Sequence, residues 1–169
     1  MEKKEHLISI DLAIRQTGIA VFTGRHLDAT ATIEHTLGAL YNPIDVVSLK
    51  KAFSDANGIG KYLNKDARII IEFNTQVRST KLLMFAVEVK GFLLGQGYDV
   101  LMLNANHWMS IADRMLALKR NHWASGRENN KLWLKALSEH LFPNWKFNSQ
   151  DEIDATIMGV AYMVSPSSF

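Results

Sequence analysis

Two carboxylates stand where a carboxylate is costly. Asp11 follows Leu7-Ile8-Ser9-Ile10, and Glu72 follows Ile69-Ile70-Ile71. Each closes an apolar run of the kind that fills a buried strand. An ionised carboxylate is expensive there unless a cation or a metal faces it. Asp151 and Asp154 lie three apart, ahead of Ala155, Ile157, Met158, Val160 and Ala161. That spacing puts both on one side of a helix whose apolar residues pack on the sheet, while one helical step turns Glu152 about 100° away. Each residue also has a plainer use. Acidic groups at a helix start accept from free amides and suit the dipole, and Asp11 or Glu72 alone could answer a buried arginine. Taken together, with no cysteine in the chain and no metal-ligand spacing among His6, His26, His35, His107, His122 and His140, the four form an oxygen-only donor set. Such sets suit Mg²⁺ or Mn²⁺. Two such ions roughly 4 Å apart can activate a water and stabilise the leaving oxygen of a phosphodiester.

The charge distribution points the same way. The net charge is only +2, yet Arg114, Lys119, Arg120, Arg127, Lys131 and Lys135 stand against Glu128 alone between residues 114 and 135. A cluster of this kind attracts polyanions and releases counterions from DNA. It would equally serve as the solvated face of a basic helix.

The elements that must hold these residues follow from periodicity. His6 to Ala13 is expected as a strand, Thr17-Gly18 as a turn and Ile19 to Thr23 as a second strand. Gly24-Arg25 makes another turn, and Ala29 to Leu37 a third strand, so the three form an antiparallel meander. Ile44 to about Leu63 has a helical pattern. Ala67 to Phe73 is too short for a helix and rich in isoleucine, which marks a strand buried on both faces. Ser79 opens an amphipathic helix with Leu82, Leu83, Phe85, Ala86, Val89, Phe92 and Leu93 on its broad face, ending at Gly95 or Gly97. Tyr98 to Leu103 is the fifth strand. Trp108 to Leu118 and Lys131 to Leu141 are helical, with a loop from Asn121 to Asn130 between them, and Asp151 opens a last helix that ends near Val164. The order predicts an α/β fold with a mixed five-stranded sheet flanked by helices.

Length and composition bound the rest. A chain of 169 residues suits a single domain spanning 1–169. With 47% hydrophobic and 21% charged residues it is globular rather than disordered or fibrous. The absence of cysteine excludes disulfides, thiolate zinc sites and cysteine nucleophiles, and fits a reducing cytoplasm. Glu2, Lys3, Lys4 and Glu5 are unlike a signal peptide. Glu88 and Lys90 interrupt the longest apolar stretch, so no membrane span is expected.

At these positions the sequence resembles the RuvC family of Holliday-junction resolvases. Asp11-Leu12-Ala13-Ile14-Arg15-Gln16-Thr17-Gly18 is similar to that family's first-strand pattern of Asp, then Arg, then Thr-Gly. Ile71-Glu72 looks like its fourth-strand glutamate, and Asp151-Glu152-Ile153-Asp154-Ala155 like its closing Asp-x-x-Asp-Ala helix. Lys131, twenty residues before Asp151, stands where the family has a DNA-contacting lysine. The element order is shared over nearly the whole chain, with the side-chain matches concentrated at these four places.

The resemblance implies an RNase H-like fold whose sheet has three antiparallel strands followed by two parallel ones. It implies a cytoplasmic homodimer, in a bacterial cell or in a phage's host, that nicks four-way DNA junctions by two-metal hydrolysis. It makes Asp11, Glu72, Asp151 and Asp154 the ligands of two Mg²⁺ ions, with Mn²⁺ able to substitute. Lys131 becomes a phosphate contact, aided by Lys119, Arg120 and Arg127. The family's Pro-Gly after the first aspartate is Leu12-Ala13 here. Its aromatic wedge three residues after the glutamate is Thr75, which leaves Phe73 as the nearest aromatic able to contact DNA. The segment from Asn104 to Lys131 is also long. These departures suit a divergent branch such as a bacteriophage carries, with weak sequence preference. Trp123 lies in the basic loop, where stacking on an unpaired base is possible. The other tryptophans, Trp108, Trp133 and Trp145, suit core positions. The apolar stripe of the Ser79 helix exceeds what one sheet face needs and suits a dimer interface. Two rival readings remain open at this point: an RNase H-like nuclease acting on RNA, and a DNA-binding scaffold without catalysis.

Overall fold

In the computed structural model the described residues are 6–13, 15–35, 51, 53–55, 58–64, 66–73, 80–116, 118–120 and 126–169. Their strands are β1 (His6–Leu12), β2 (Gln16–Thr23), β3 (His26–Glu34), β4 (Arg68–Phe73) and β5 (Asp99–Asn104). Their helices are α1 (Thr80–Gly95), α2 (Ala105–Met115), α3 (Arg127–Leu141) and α4 (Gln150–Val164), with short 3-10 turns at Ile59–Tyr62 and Pro166–Ser168. The five strands form one sheet in the order β3-β2-β1-β4-β5. β1, β2 and β3 pair antiparallel, whereas β4 runs parallel to β1 and β5 parallel to β4. This is the mixed sheet expected from the element order.

Alternation along β1 and β4 sends side chains to two cores. Leu7 and Ile70 join Phe22, Trp108, Trp133 and Ile157 under α2, α3 and α4. Ile8, Ile10, Ile69 and Ile71 face the other way, onto Ala86, Val89 and Leu93 of α1. Burial on both sides explains why these strands are continuous apolar runs rather than alternating ones. Asp11 and Glu72 follow Ile10 and Ile71, which are register partners. Parity therefore turns both carboxylates toward the face that α2, α3 and α4 cover.

Several boundaries differ from the expectations. Thr17-Gly18 is not a turn: β2 already begins at Gln16, with Thr17 opposite Leu12 and Gly18 opposite Asp11. Glycine is needed here for another reason. A Cβ on Gly18 would lie 2.0 Å from the backbone oxygen of Asp151, so the bare backbone is what lets α4 close on β2. β3 starts at His26, directly after the turn at Gly24 (φ 59°), and ends at Glu34; the expected end at Leu37 lies outside the described residues. α2 begins at Ala105, because Asn104 accepts from the amide of Asn106 and caps it. α3 begins at Arg127, four residues earlier than expected, after Gly126 at φ 133°. On α1, Leu83 belongs to the exposed side with Met84, Val87 and Leu94, not to the packed face. Half of the expected helix over Ile44–Leu63 lies outside the described residues, and Ile59–Tyr62 is a 3-10 turn.

Candidate active site

Asp11 and Glu72 each lie one residue before the end of their strand, β1 and β4, and Asp151 and Asp154 project from the first two turns of α4. The first two sit at the carboxyl ends of parallel neighbours. The second two are brought there by the way α4 is moored. Ser149 caps the helix by accepting from the Glu152 amide at 3.1 Å. The Glu152 carboxylate is buried and points away from the other acids, accepting from Thr30 Oγ1 (3.0 Å), Thr32 Oγ1 (2.9 Å) and the Asn148 amide (2.9 Å). Thr32 Oγ1 also lies 2.7 Å from Ser149 Oγ, and Trp145 Nε1 donates to Thr30 Oγ1 at 3.2 Å. The helix start is thus pinned to β3 on one side and lies on Gly18 on the other. Glu152 is a mooring residue, as its helical angle forecast.

The electrostatics confirm that the four carboxylates are neighbours. Burial raises Asp11 well above the usual carboxylate range, and Glu72, Asp154 and Asp151 push it further. Burial raises Glu72, against a hydrogen bond from Trp108 and with help from Asp151. Burial raises Asp151 too, opposed by a hydrogen bond with Gln16 and by the charges of Lys131 and Arg127. Asp154 is pushed up to about 7 by burial first, with Glu72 and Asp151 adding to it and Gln150 and Lys131 opposing. None of the four has an ion-pair partner within 4 Å among the described residues. Nor do any three acidic or histidine side chains there already enclose an ion-sized space.

A partly buried, all-oxygen set whose members lack a salt-bridge partner within 4 Å among the described residues fits hard divalent ions. Mg²⁺ or Mn²⁺ held by Asp11, Glu72, Asp151 and Asp154 would discharge that repulsion.

Three neighbours of the quartet were not singled out from the sequence. Gln16 bonds Asp151, Gln150 Nε2 donates to Asp154 Oδ1 at 2.6 Å, and Trp108 Nε1 donates to Glu72 Oε2 at 2.9 Å. Trp108 and Trp133 are core residues as expected, Trp133 donating to the Leu118 carbonyl, but Trp108 also reaches the site. A signal existed: a buried indole N–H needs an acceptor, and Glu72 was a carboxylate in need of donors. Gln150 was legible as a residue one helical turn before Asp154.

The basic residues divide. Arg127 and Lys131, one turn apart at the head of α3, lie close enough to lower Asp151, and Lys131 lowers Asp154 as well. Lys131 also lies 3.4 Å from Glu128, and Lys135 lies 3.9 Å from Glu139. Lys119 Nζ donates to the Arg114 carbonyl at 2.6 Å, and the Arg120 amide to Asp113 Oδ1 at 2.5 Å. Neither appears among the charges acting on the quartet. Phe73 is half-buried on the opposite sheet face, packed beside the α1 core. Thr75 and Trp123 lie outside the described residues.

No family model matches the sequence, and no curated protein does. Solved structures do match. RuvC of Thermus thermophilus in complex with Holliday junction substrate superposes with a TM-score of 0.63 at 10% identity, over 96% of this chain and 95% of that one. Another structure of Thermus thermophilus RuvC gives a TM-score of 0.63 at 11% identity over the same shares. The Fowlpox virus resolvase, in complex with substrate Holliday junction DNA, gives 0.53 at 17% identity over 94% and 99%. With its meander of three antiparallel strands, its two parallel strands and its flanking helices, this chain has the RNase H-like fold of RuvC, the family its sequence marks resemble.

Proposed function

We propose that this chain is a divalent-metal-dependent endonuclease that nicks branched DNA, with four-way junctions as its main substrate. The observation that carries the reading is the group of four carboxylates, Asp11 buried and the other three half-buried, all held above their usual range with no ion-pair partner within 4 Å among the described residues. Asp11, Glu72, Asp151 and Asp154 would hold two Mg²⁺ ions, with Mn²⁺ able to replace them. Bound there, the ions supply an activated water and neutralise charge at the scissile phosphate.

The chain's own residues do the rest. Arg127 and Lys131 border the acidic group, so a phosphate drawn to their charge is delivered beside the carboxylates. Lys119 and Arg120 extend the attraction to flanking phosphates, and Phe73, the residue after Glu72 in sequence, is the further candidate for contact with DNA. Gln16, Gln150 and Trp108 orient carboxylate oxygens without adding charge. DNA is favoured over RNA by the neighbours of this fold, two of which hold Holliday junction DNA. We also propose that the protein acts as a homodimer, since a four-way junction has two-fold symmetry and symmetric oligomers match such targets. The exposed Leu83, Met84, Val87 and Leu94 of α1 offer the apolar face for it.

The decisive test is cleavage of a synthetic four-way junction, a fork, a linear duplex and a matched RNA junction, with Mg²⁺ or Mn²⁺. Paired nicks in the DNA junction, absent with EDTA and absent in Asp11→Asn, are expected. Preference for the RNA junction, or full cutting by Asp11→Asn, would overturn the reading.

A further inference from the structure

Trp108 is 2% exposed, in the first turns of α2, yet its indole N–H reaches out of the core to Glu72 Oε2 at 2.9 Å. Glu72 is the acceptor this buried donor has among the described residues. It also holds a carboxylate that carries no salt bridge there. The ring cannot follow the carboxylate if it swings, because Trp108 is locked into the core with Leu103, Ile111 and Ile157. A neutral N–H fixes a carboxylate oxygen without discharging it, whereas a lysine or arginine in its place would compete with a metal ion for the same charge.

We propose that Trp108 is the positioning residue of the metal centre: its indole N–H holds Oε2 of Glu72 and so aims Oε1 at a divalent cation. The inference rests on the reading of the four carboxylates as a metal site, and deepens it by naming the group that orients one ligand. It also assigns the α2 helix a task, because the rotamer of Trp108 transmits the seating of α2 on β5 to Glu72 on β4.

Groups that orient metal ligands typically contribute 10–100-fold in metal affinity or activity. Trp108→Phe keeps the ring and removes only the donor. Titration calorimetry with Mn²⁺ should show affinity about 10–100-fold below wild type. Junction affinity measured without metal should be unchanged, and the loss in cleavage should fall on kcat rather than KM. Wild-type affinity for Mn²⁺ in Trp108→Phe overturns the proposal while leaving the carboxylate reading intact. Absence of any Mn²⁺ binding to the wild-type chain overturns the carboxylate reading itself, and the proposal with it.

If Trp108→Phe does not fold, the wild-type protein still decides. In a nitrogen–proton correlation spectrum, one indole signal should move both on adding Mg²⁺ and in Glu72→Gln, while those of the other tryptophans stay. If no indole signal moves as Mg²⁺ saturates the protein, Trp108 does not position a metal ligand.

Discussion

At the scale of single residues, what distinguishes this site is a set of carboxylates held above their ordinary range, chiefly by burial. Asp154 is held up to about 7, above its ordinary 3.8. Between those values the folded chain binds more protons than the unfolded one, so stability falls as pH rises through that window. Asp11, Glu72 and Asp151 are shifted upward as well and act in the same direction. The metal-free protein should therefore melt at a lower temperature at pH 8 than at pH 5, and Asp154→Asn should flatten the slope. Added Mg²⁺ should raise the midpoint more at pH 8, where the carboxylates are ionised, than at pH 5. A midpoint that rises from pH 5 to pH 8 without metal would contradict the burial described for these groups. Glu72→Gln should abolish cleavage while junction binding persists, since phosphate contacts elsewhere still hold the DNA. Lys131→Ala should weaken binding to every junction sequence and reduce the slope of log K against log salt by about 1. A loss restricted to one junction sequence would mean that Lys131 reads bases instead.

At the scale of elements, the strands that end in Asp11 and Glu72 were legible because each is a short isoleucine-rich run that stops at a carboxylate. Periodicity placed β1, β4, β5 and α4 within one or two residues. It misplaced Thr17-Gly18, because a glycine beside a threonine looks like a turn. The true cause is a contact 133 residues away in sequence, where Asp151 backbone lies against Gly18. Nothing local carries that information. The Glu152 tie to Thr30 and Thr32 was hidden for the same reason, being a pairing between distant segments. The start of α3 at Arg127 was missed because Arg-Glu-Asn-Asn has little apolar periodicity.

Two substitutions test the moorings of α4. Gly18→Ala puts a methyl into the Asp151 carbonyl and should cost about 1–3 kcal/mol or more, with cleavage lost even in the folded fraction. Glu152→Ala takes the shared acceptor from Thr30, Thr32 and the Asn148 amide, partly buried bonds worth about 0.5–1.5 kcal/mol each, and should lower the melting midpoint by several degrees. A Glu152→Ala protein as stable as wild type would show that the threonines find other acceptors.

At the scale of the whole molecule, the exposed stripe Leu83, Met84, Val87 and Leu94 lies on α1, and α1 packs on the sheet face opposite the carboxylates. A dimer formed through it would leave both acidic sites uncovered for DNA. Sedimentation should give a dimer, and Val87→Glu should give a monomer that binds a single junction arm but no longer makes paired nicks. A wild-type protein that remains monomeric while cutting both strands would exclude this arrangement. Phe73 is on that same face rather than beside the quartet. Base unstacking by Phe73 is therefore not favoured by its packing, and cleavage of junctions that migrate through many sequences should show only weak preference.

The acidic group draws its members from the first strand, the fourth strand and the last long helix, so the site is written across 143 residues of chain, from Asp11 to Asp154. Synthesis on the ribosome delivers these parts one after another, amino end first. While α4 is still inside the exit tunnel, the emerging chain holds Asp11 and Glu72 but neither Asp151 nor Asp154. Gly18 and the β3 threonines then stand bare, awaiting the helix that will cover them. Under the proposed function, the chain would be harmless to nucleic acid until translation has passed the codon of Asp154. Partly made chains stalled before residue 150 should accordingly compact around their sheet, yet leave DNA uncut.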